Sequence, residues 1–253
     1  MIEITVQSSL DGTKQPSLFY PAKEKSRPLI VGLHTWSYDR NNQVERLLPI
    51  AASRDWNLLL PEFRGPNCRS NPSCRDACGS EKAKQDIMDA VSYVLENYSV
   101  DGESIFIVGA SGGGTMALLM AAYAPRLWRG VCSFVPITDI RKWYDENPSY
   151  RDSIEACCGG GAGFDAECAA RSPITYTDHI AQATVKIFTG KWDAAVPAHH
   201  GLDLFMKIFK DHPEAEVYFE MFDGGHEMPL PLAFDWVASC MENKKKVGAR
   251  VTG

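Results

Sequence analysis

Apolar strand segments alternate with helical segments along most of this chain. A run such as Leu29-Ile30-Val31-Gly32-Leu33 is apolar throughout, which is typical of a strand buried on both faces. From Glu81 to Tyr98, by contrast, apolar residues recur at helical spacing. This alternation predicts an α/β fold with a mainly parallel sheet. Strands are predicted at residues 1–6, 17–20, 28–34, 57–62, 104–109, 130–135, 185–189 and 216–222.

The composition is that of one globular domain. The chain has 253 residues, 45% of them hydrophobic, and 26 basic against 32 acidic side chains give a formal net charge of −6. A net acidic chain without a basic stripe is not expected to bind nucleic acid. No apolar stretch reaches the roughly 18 residues that a membrane span needs. We expect one domain over residues 1–242, with an insertion at residues 136–184, and a basic, solvated tail at residues 243–253.

The strongest signal for chemistry is Gly109-Ala110-Ser111-Gly112-Gly113, which lies between a predicted buried strand and a predicted helix. In that setting the pattern indicates a nucleophile elbow, a sharp turn that projects a serine hydroxyl from the carboxyl end of a strand. Small residues on either side let the backbone fold tightly. A phosphate-binding turn would need the Lys-Ser/Thr of a P-loop or a spaced Gly-x-Gly-x-x-Gly, and neither is present. Ser111 is therefore the predicted nucleophile.

A serine nucleophile requires a base that is oriented by a carboxylate. Asp193 follows the predicted strand that ends at Thr189, and His226 follows the last predicted strand through a Gly-Gly turn. Serine, aspartate and histidine in this chain order are typical of one class of hydrolytic triad. Asp223 is an alternative orienting residue, but its position favours support of the turn. The predicted catalytic residues are Ser111, Asp193 and His226.

The oxyanion of an acyl-transfer reaction needs two hydrogen-bond donors. The backbone N–H of Gly112, directly after the nucleophile, is predicted to be the first. The second is expected from the loop after the central strand, where the amide of Trp36 is favoured and those of Thr35 and Ser37 are alternatives. His34, at the end of that strand, is expected to hold the loop by hydrogen bonds.

Two adjacent histidines, His199 and His200, begin a predicted helix. Neighbouring side chains on a helix are expected to point to different sides, so the pair is a weak candidate for a metal site. Polar residues at a helix start are the favoured interpretation. No metal and no cofactor are therefore expected.

Six of the eight cysteines fall in two polar segments, and eight is a large number for a reduced cytosolic enzyme. The candidates for disulfide bonds are Cys68, Cys74 and Cys78 in the first segment and Cys157, Cys158 and Cys168 in the second. Because each group holds three, full oxidation within the chain requires a bridge between the groups. Disulfides are favoured, with free thiols and a metal site as alternatives, although the spacing is poor for zinc. Bridged cysteines would favour a secreted or periplasmic protein, and free thiols a cytoplasmic one.

The motifs together resemble the α/β-hydrolase superfamily, and within it the catalytic domain of the prolyl-oligopeptidase-like serine hydrolases. Gly190-x-x-Asp193-x-x-Val196-Pro197 is similar to that family's aspartate loop, and Gly225-His226 to its histidine turn. Phe63-Arg64-Gly65 resembles its Arg-Gly turn, and Ser172-Pro173-Ile174-Thr175-Tyr176 its Ser-Pro segment. The resemblance implies a single-domain α/β-hydrolase fold with a mostly parallel eight-stranded sheet, helices on both faces and a small insertion over the active site.

The resemblance also implies a serine hydrolase, and a carboxylesterase that acts on small-molecule esters through an acyl-enzyme is favoured. Trp36, Trp143 and Trp192 are expected near the pocket, where aromatic rings suit phenolic or sugar groups, so acetyl or feruloyl carbohydrate esters are candidate substrates. Packing of the insertion explains these aromatics equally well. An exopeptidase of prolyl-oligopeptidase type, an aminopeptidase or dipeptidase, is the first alternative. A non-catalytic binding protein on a hydrolase scaffold is the second.

Overall fold

Eight strands form one sheet in the order β1-β2-β4-β3-β5-β6-β7-β8 in the computed structural model of the chain. The strands are β1 (Ile2–Gln7), β2 (Lys14–Tyr20), β3 (Arg27–Leu33), β4 (Asn57–Pro61), β5 (Val100–Ala110), β6 (Gly130–Phe134), β7 (Val185–Gly190) and β8 (Val217–Phe222). The pairs β1–β2 and β2–β4 are antiparallel, and all other pairs are parallel. The predicted eight-stranded, mostly parallel sheet is therefore confirmed.

Helices pack on both faces of this sheet. They are α1 (Val44–Arg54), α2 (Glu81–Asn97), α3 (Gly112–Tyr123), α4 (Ile140–Glu146), α5 (Arg151–Cys158), α6 (Phe164–Ala170), α7 (Thr177–Ile180), α8 (His199–Asp211) and α9 (Leu230–Arg250). Buried side chains of α2, α3 and α8 share one apolar cluster with the sheet, and those of α1 and α9 share a second cluster on the opposite face. The two clusters are the cores on either side of a single sheet.

The strand positions follow from the burial that the sequence predicts. β1, which alternates buried and exposed residues, lies at the edge of the sheet, and β3, whose last five residues are all buried, lies between β4 and β5. Because β3, β5, β7 and β8 run parallel, the loops that follow them lie at one edge of the sheet. Ser111, Asp193, His226 and the loop of Trp36 all come directly after these strands.

The predicted insertion at residues 136–184 contains the short helices α4 to α7. Its buried residues form a third apolar cluster, which includes Trp36 and Val196 from the two neighbouring loops and five of the eight cysteines. This cluster joins the insertion to the edge of the sheet where the candidate site lies.

The structure describes the backbone of residues 1–250 and the side chains of residues 1–242. The predicted basic tail, residues 243–253, falls outside the described side chains. Across the described part of the chain, none of the helices combines the length and apolarity required to cross a bilayer.

Candidate active site

Ser111 occupies a strained turn between β5 and α3. Its backbone has φ 56° and ψ −125°, a conformation that side-chain-bearing residues adopt rarely and mostly where surrounding structure holds them. The Ser111 amide donates to the carbonyl of Phe134 at 2.9 Å, which fixes the turn to β6. A Cβ on Gly109 would collide with the backbone of Gly113, and one on Gly113 would lie 2.6 Å from the carbonyl oxygen of Leu33. The turn therefore requires glycine at both positions, and the role of Ser111 as a nucleophile stays a prediction.

Asp193 and His226 are joined by a hydrogen bond. Nδ1 of His226 lies 2.8 Å from Oδ2 of Asp193, whose side chain is completely buried. The other carboxylate oxygen, Oδ1, accepts the amides of Ala195 and Val196, each at 2.9 Å. This arrangement satisfies a buried carboxylate and leaves one oxygen for the imidazole.

The two loops that carry this pair are packed together by backbone contacts. The amide of Trp192 donates to the carbonyl of Gly224 at 2.9 Å, and a Cβ on Gly190 would collide with the carbonyl of Gly225. The Asp193–His226 pair is thus supported by fixed backbone. Among residues 1–242, no hydrogen bond joins Ser111 to His226.

Asp223, the alternative orienting residue, serves a different contact. Its Oδ1 accepts the indole N–H of Trp192 at 2.8 Å. Trp192 itself is 67% exposed, so its ring lies at the surface beside the Asp193 and His226 loops. The structure therefore brings His226 to Asp193 and places Asp223 in the support of the neighbouring indole.

The loop after β3 lies directly against the start of α3. A Cβ on Gly112 would lie 2.7 Å from both the backbone nitrogen and Cα of Trp36. The amide of Thr35 donates to Oδ1 of Asn42 at 3.1 Å, which engages one of the alternative oxyanion donors. The amide nitrogens of Gly112 and Trp36 therefore belong to two backbone segments in close contact, as an oxyanion hole requires.

His34 holds this loop, as predicted. Its Nε2 lies 2.8 Å from the carbonyl oxygen of Glu62, its Nδ1 lies 3.0 Å from that of Thr35, and its ring stacks on Phe63 at 3.9 Å. Burial lowers the pKa of His34, although the two carbonyl contacts act in the opposite direction. A buried imidazole held between two carbonyl groups suits a structural role.

Asn67 is a supporting residue that the sequence did not reveal. Its backbone amide donates to the carbonyl of Trp36 at 2.8 Å, and its side-chain oxygen accepts the amide of Cys78 at 2.8 Å. It lies in an irregular loop where no periodic pattern marks buried positions. An asparagine in a long polar loop is the one signal that could have indicated it.

The three predicted pocket tryptophans have different environments. Trp36 and Trp143 are buried and meet edge to face with ring centroids 5.0 Å apart. The indole N–H of Trp143 donates to the carbonyl of Ala195 at 2.9 Å, so this ring supports the loop that carries Asp193. Trp192 is exposed. Beside Gly112 and Trp36 remains a cavity of only about 10 Å³.

The two cysteine groups meet, although all eight cysteines are free thiols. The thiol of Cys78 contacts those of Cys157 and Cys158, and Cys158 also contacts Cys168. These contacts raise the pKa of Cys78, whereas hydrogen bonds from Cys168 and Cys78 lower the pKa of Cys158 to about 4. The predicted disulfides therefore stay a prediction, and the two groups lie as close together as a bridge between them would require.

Comparisons with known proteins agree with this architecture. A family model described as the prolyl oligopeptidase family matches residues 44–233. A curated relative, acylamino-acid-releasing enzyme 2 of Oryza sativa subsp. japonica, is 23% identical over an alignment of 239 positions that covers 87% of this chain and 30% of the relative. The chain thus spans about a third of the length of that relative.

Two solved structures illustrate the shared fold. Acylaminoacyl peptidase of Pyrococcus horikoshii superposes with a TM-score of 0.70 at 20% identity, over 88% of this chain and 37% of that one. FphF, a fluorophosphonate-binding serine hydrolase of Staphylococcus aureus, superposes with a TM-score of 0.74 at 16% identity, over 93% and 97% of the two chains. Both therefore share the fold of this chain over the regions that superpose.

Proposed function

Because the chain belongs to the prolyl oligopeptidase family of serine hydrolases, we propose that it hydrolyses small carboxylic esters through an acyl-enzyme at Ser111. The hydrogen bond between Asp193 and His226 carries this proposal most directly. A buried aspartate bonded to the Nδ1 side of an imidazole leaves Nε2 as the nitrogen that accepts a proton. Ser111 and His226 follow β5 and β8, which run in the same direction in the sheet, so both residues lie at its carboxyl edge.

In the proposed mechanism, Ser111 attacks the ester carbonyl while His226 takes the hydroxyl proton. The imidazolium then gives this proton to the leaving alcohol, and Asp193 stabilises the charged ring and holds its tautomer. The amides of Gly112 and Trp36 donate to the oxyanion of the tetrahedral intermediate. Water, deprotonated by the same histidine, attacks the acyl-enzyme and releases the acid.

The tight packing beside the proposed oxyanion donors favours a small acyl group. The void there is lined by Trp36, Gly112, Phe63 and Met116 but not by Ser111 or His226, and it measures about 10 Å³, so it leaves little room to extend an acyl site past the donors. A feruloyl group would need a far larger space, whereas an acetyl group requires little more than a methyl pocket. We therefore favour acetyl esters over feruloyl esters. The exposed ring of Trp192 offers a surface for an aromatic or sugar leaving group.

A peptidase is the second candidate, and the rice and archaeal relatives favour it. Both carry names that describe acylamino acids, so an acylated amino acid is the corresponding substrate class. A free N-terminal amine would need an available carboxylate near the site. Glu62 is paired with Arg40 at 2.9 Å, and Glu146 is paired with two histidines. Release of an acylated residue is therefore a better peptidase hypothesis than aminopeptidase activity.

Steady-state kinetics on matched chromogenic substrates test the proposal. We expect the wild-type protein to turn over p-nitrophenyl acetate faster than the butyrate or a feruloyl ester, and faster than acetyl-alanine p-nitroanilide. Ser111→Ala should abolish turnover of all of them, while Ser92→Ala, on the exposed side of α2, should leave it unchanged. Preference for the anilide would support the peptidase, and unchanged turnover in Ser111→Ala would contradict both candidates.

A further inference from the structure

Glu146 brings together two histidines that are neighbours in sequence. Glu146 is the last residue of α4, and His199 and His200 are the first two residues of α8. Nε2 of His199 lies 3.0 Å from Oε1 of Glu146, and Nε2 of His200 lies 3.1 Å from Oε2. Within the described side chains, this is the one group of three or more potential metal ligands whose donor atoms all lie within 4.8 Å of one another.

The two imidazoles converge instead of pointing apart. Adjacent residues on a helix normally project about 100° from one another. Here the rings are stacked with centroids 5.0 Å apart and planes inclined by 25°, so both Nε2 atoms face the same carboxylate. The structure differs in this respect from the prediction that the rings would point to different sides of the helix. The third ligand comes from α4, which no local pattern connects with α8.

His200 has a buried side chain with one unpartnered ring nitrogen. Its side chain is 1% exposed, and its Nδ1 has no hydrogen-bond partner among the described residues. An imidazole binds a metal ion through the lone pair of one ring nitrogen.

We propose that Glu146, His199 and His200 bind a divalent transition-metal ion of the zinc and cobalt type. The ligands are the two Nε2 atoms and one carboxylate oxygen, with water in the remaining position. Two imidazoles and one carboxylate suit such ions, whereas calcium and magnesium prefer sites built from oxygen. The ammonium group of Lys142, a cation on α4, is paired with Asp203 at 2.7 Å.

The metal would fix α4 to the start of α8, on either side of the loop that carries Asp193. From α4 and its C-terminal cap, Trp143 and Asn147 both donate to the carbonyl of Ala195, at 2.9 and 3.0 Å. The ion would therefore stabilise the position of this loop without touching the reacting atoms. The site stands independently of the proposed hydrolase activity.

Titration of the full-length wild-type protein with Co²⁺ tests the proposal by absorption spectroscopy and calorimetry. We expect one equivalent to bind without the near-ultraviolet charge-transfer band that thiolate ligands give, because the ligands are nitrogen and oxygen. His199→Ala and Glu146→Gln should each weaken Co²⁺ binding by at least about tenfold. Loss of a residue that merely hydrogen-bonds to a metal ligand already costs about that much, and these two residues are proposed as ligands themselves. Both residues are partly exposed, which favours folding of these variants.

His212→Ala is the matched control. His212 contacts the single carboxylate of Asp178 at 2.9 Å but has no third ligand, so its loss should leave Co²⁺ binding unchanged. In the NMR spectrum of the wild-type protein with Co²⁺ bound, paramagnetically shifted imidazole signals should show that two histidines are ligands. Absence of binding at millimolar Co²⁺, a thiolate band, or wild-type affinity in both ligand variants would overturn the proposal.

Discussion

Asp193 and His226 are 33 residues apart in sequence, yet Oδ2 of the aspartate lies 2.8 Å from Nδ1 of the histidine. Two backbone amides of the Asp193 loop occupy the other carboxylate oxygen, so the carboxylate has a single orientation. Parallel pairing of β7 with β8 brings the two loops side by side, and their backbones are in contact. This fixed pair is the basis of the proposed mechanism.

Asp193→Asn should lower kcat/KM for p-nitrophenyl acetate by about 10⁴, as in other triads where an amide selects the wrong imidazole tautomer. Circular dichroism should show an intact fold. Asp223→Asn is the matched control, since within residues 1–242 the Asp223 carboxylate accepts one hydrogen bond, from the exposed indole of Trp192, and it should change kcat/KM by less than about twofold. A large loss in Asp223→Asn with little loss in Asp193→Asn would reverse the two assignments.

Gly112→Ala should lower kcat by about 10² to 10³, the usual cost of losing one oxyanion donor. The added Cβ would lie 2.7 Å from backbone atoms of Trp36, so the two segments that carry the donors must separate. Gly160→Ala is the control, because nothing lies within 4 Å of its Cβ position. Kinetics of the two variants check the prediction, and equal activity in both would rule out these donors.

Oxidation should join the two cysteine groups. From the thiol contacts, we predict one bridge between Cys78 and Cys157 and another between Cys158 and Cys168. Peptide mapping after oxidative refolding should find both pairs, and these cysteines should be alkylated in denaturant only after reduction. Each bridge should raise the free energy of unfolding by about 2–4 kcal/mol. Full alkylation of the oxidised, denatured protein without reductant would contradict the prediction.

Acid should destabilise the protein through its buried histidines. Burial lowers the pKa of His34, so the unfolded chain binds this proton at a higher pH than the folded protein does. The contribution of His34 to the free energy of unfolding is therefore fully present above its unfolded pKa of about 6.5. As the pH falls toward the folded pKa, this contribution is lost, and the free energy of unfolding drops by up to about 1.4 kcal/mol per pH unit. Urea unfolding between about pH 7.5 and pH 5.5 measures this slope.

His34→Gln should reduce that slope, because it removes the group that takes up the proton. His179→Gln is the control at an exposed position. An identical slope in wild-type protein and His34→Gln would exclude His34 as a source of acid sensitivity.

The central fold and the tight turn at Ser111 could be predicted because their sequence signals are local. Residues 105–110 are apolar or small throughout and all buried, so strand and burial coincide. Gly109 and Gly113 flank Ser111 because side chains there would collide with backbone. The positions of Asp193 and His226 follow from parallel topology, which brings the ends of strands to one edge.

The contacts of the insertion could not be predicted, because they depend on how short helices pack. α4 has seven residues, too few for a periodic pattern to show which side is buried. Nothing in the sequence around Glu146 indicates that it reaches His199 and His200 across 53 and 54 residues. For the same reason, the sequence did not indicate that Trp143 is buried against the Asp193 loop, because this contact depends on how α4 packs.

Labelling with a fluorophosphonate probe, followed by peptide mapping, tests the proposed nucleophile most directly, since only an activated serine reacts readily. We expect a single adduct, on Ser111 in the tryptic peptide of residues 85–126, and strongly reduced labelling in His226→Asn. Failure of the folded protein to react, or an adduct on any other residue, would contradict the assignment of Ser111 as nucleophile.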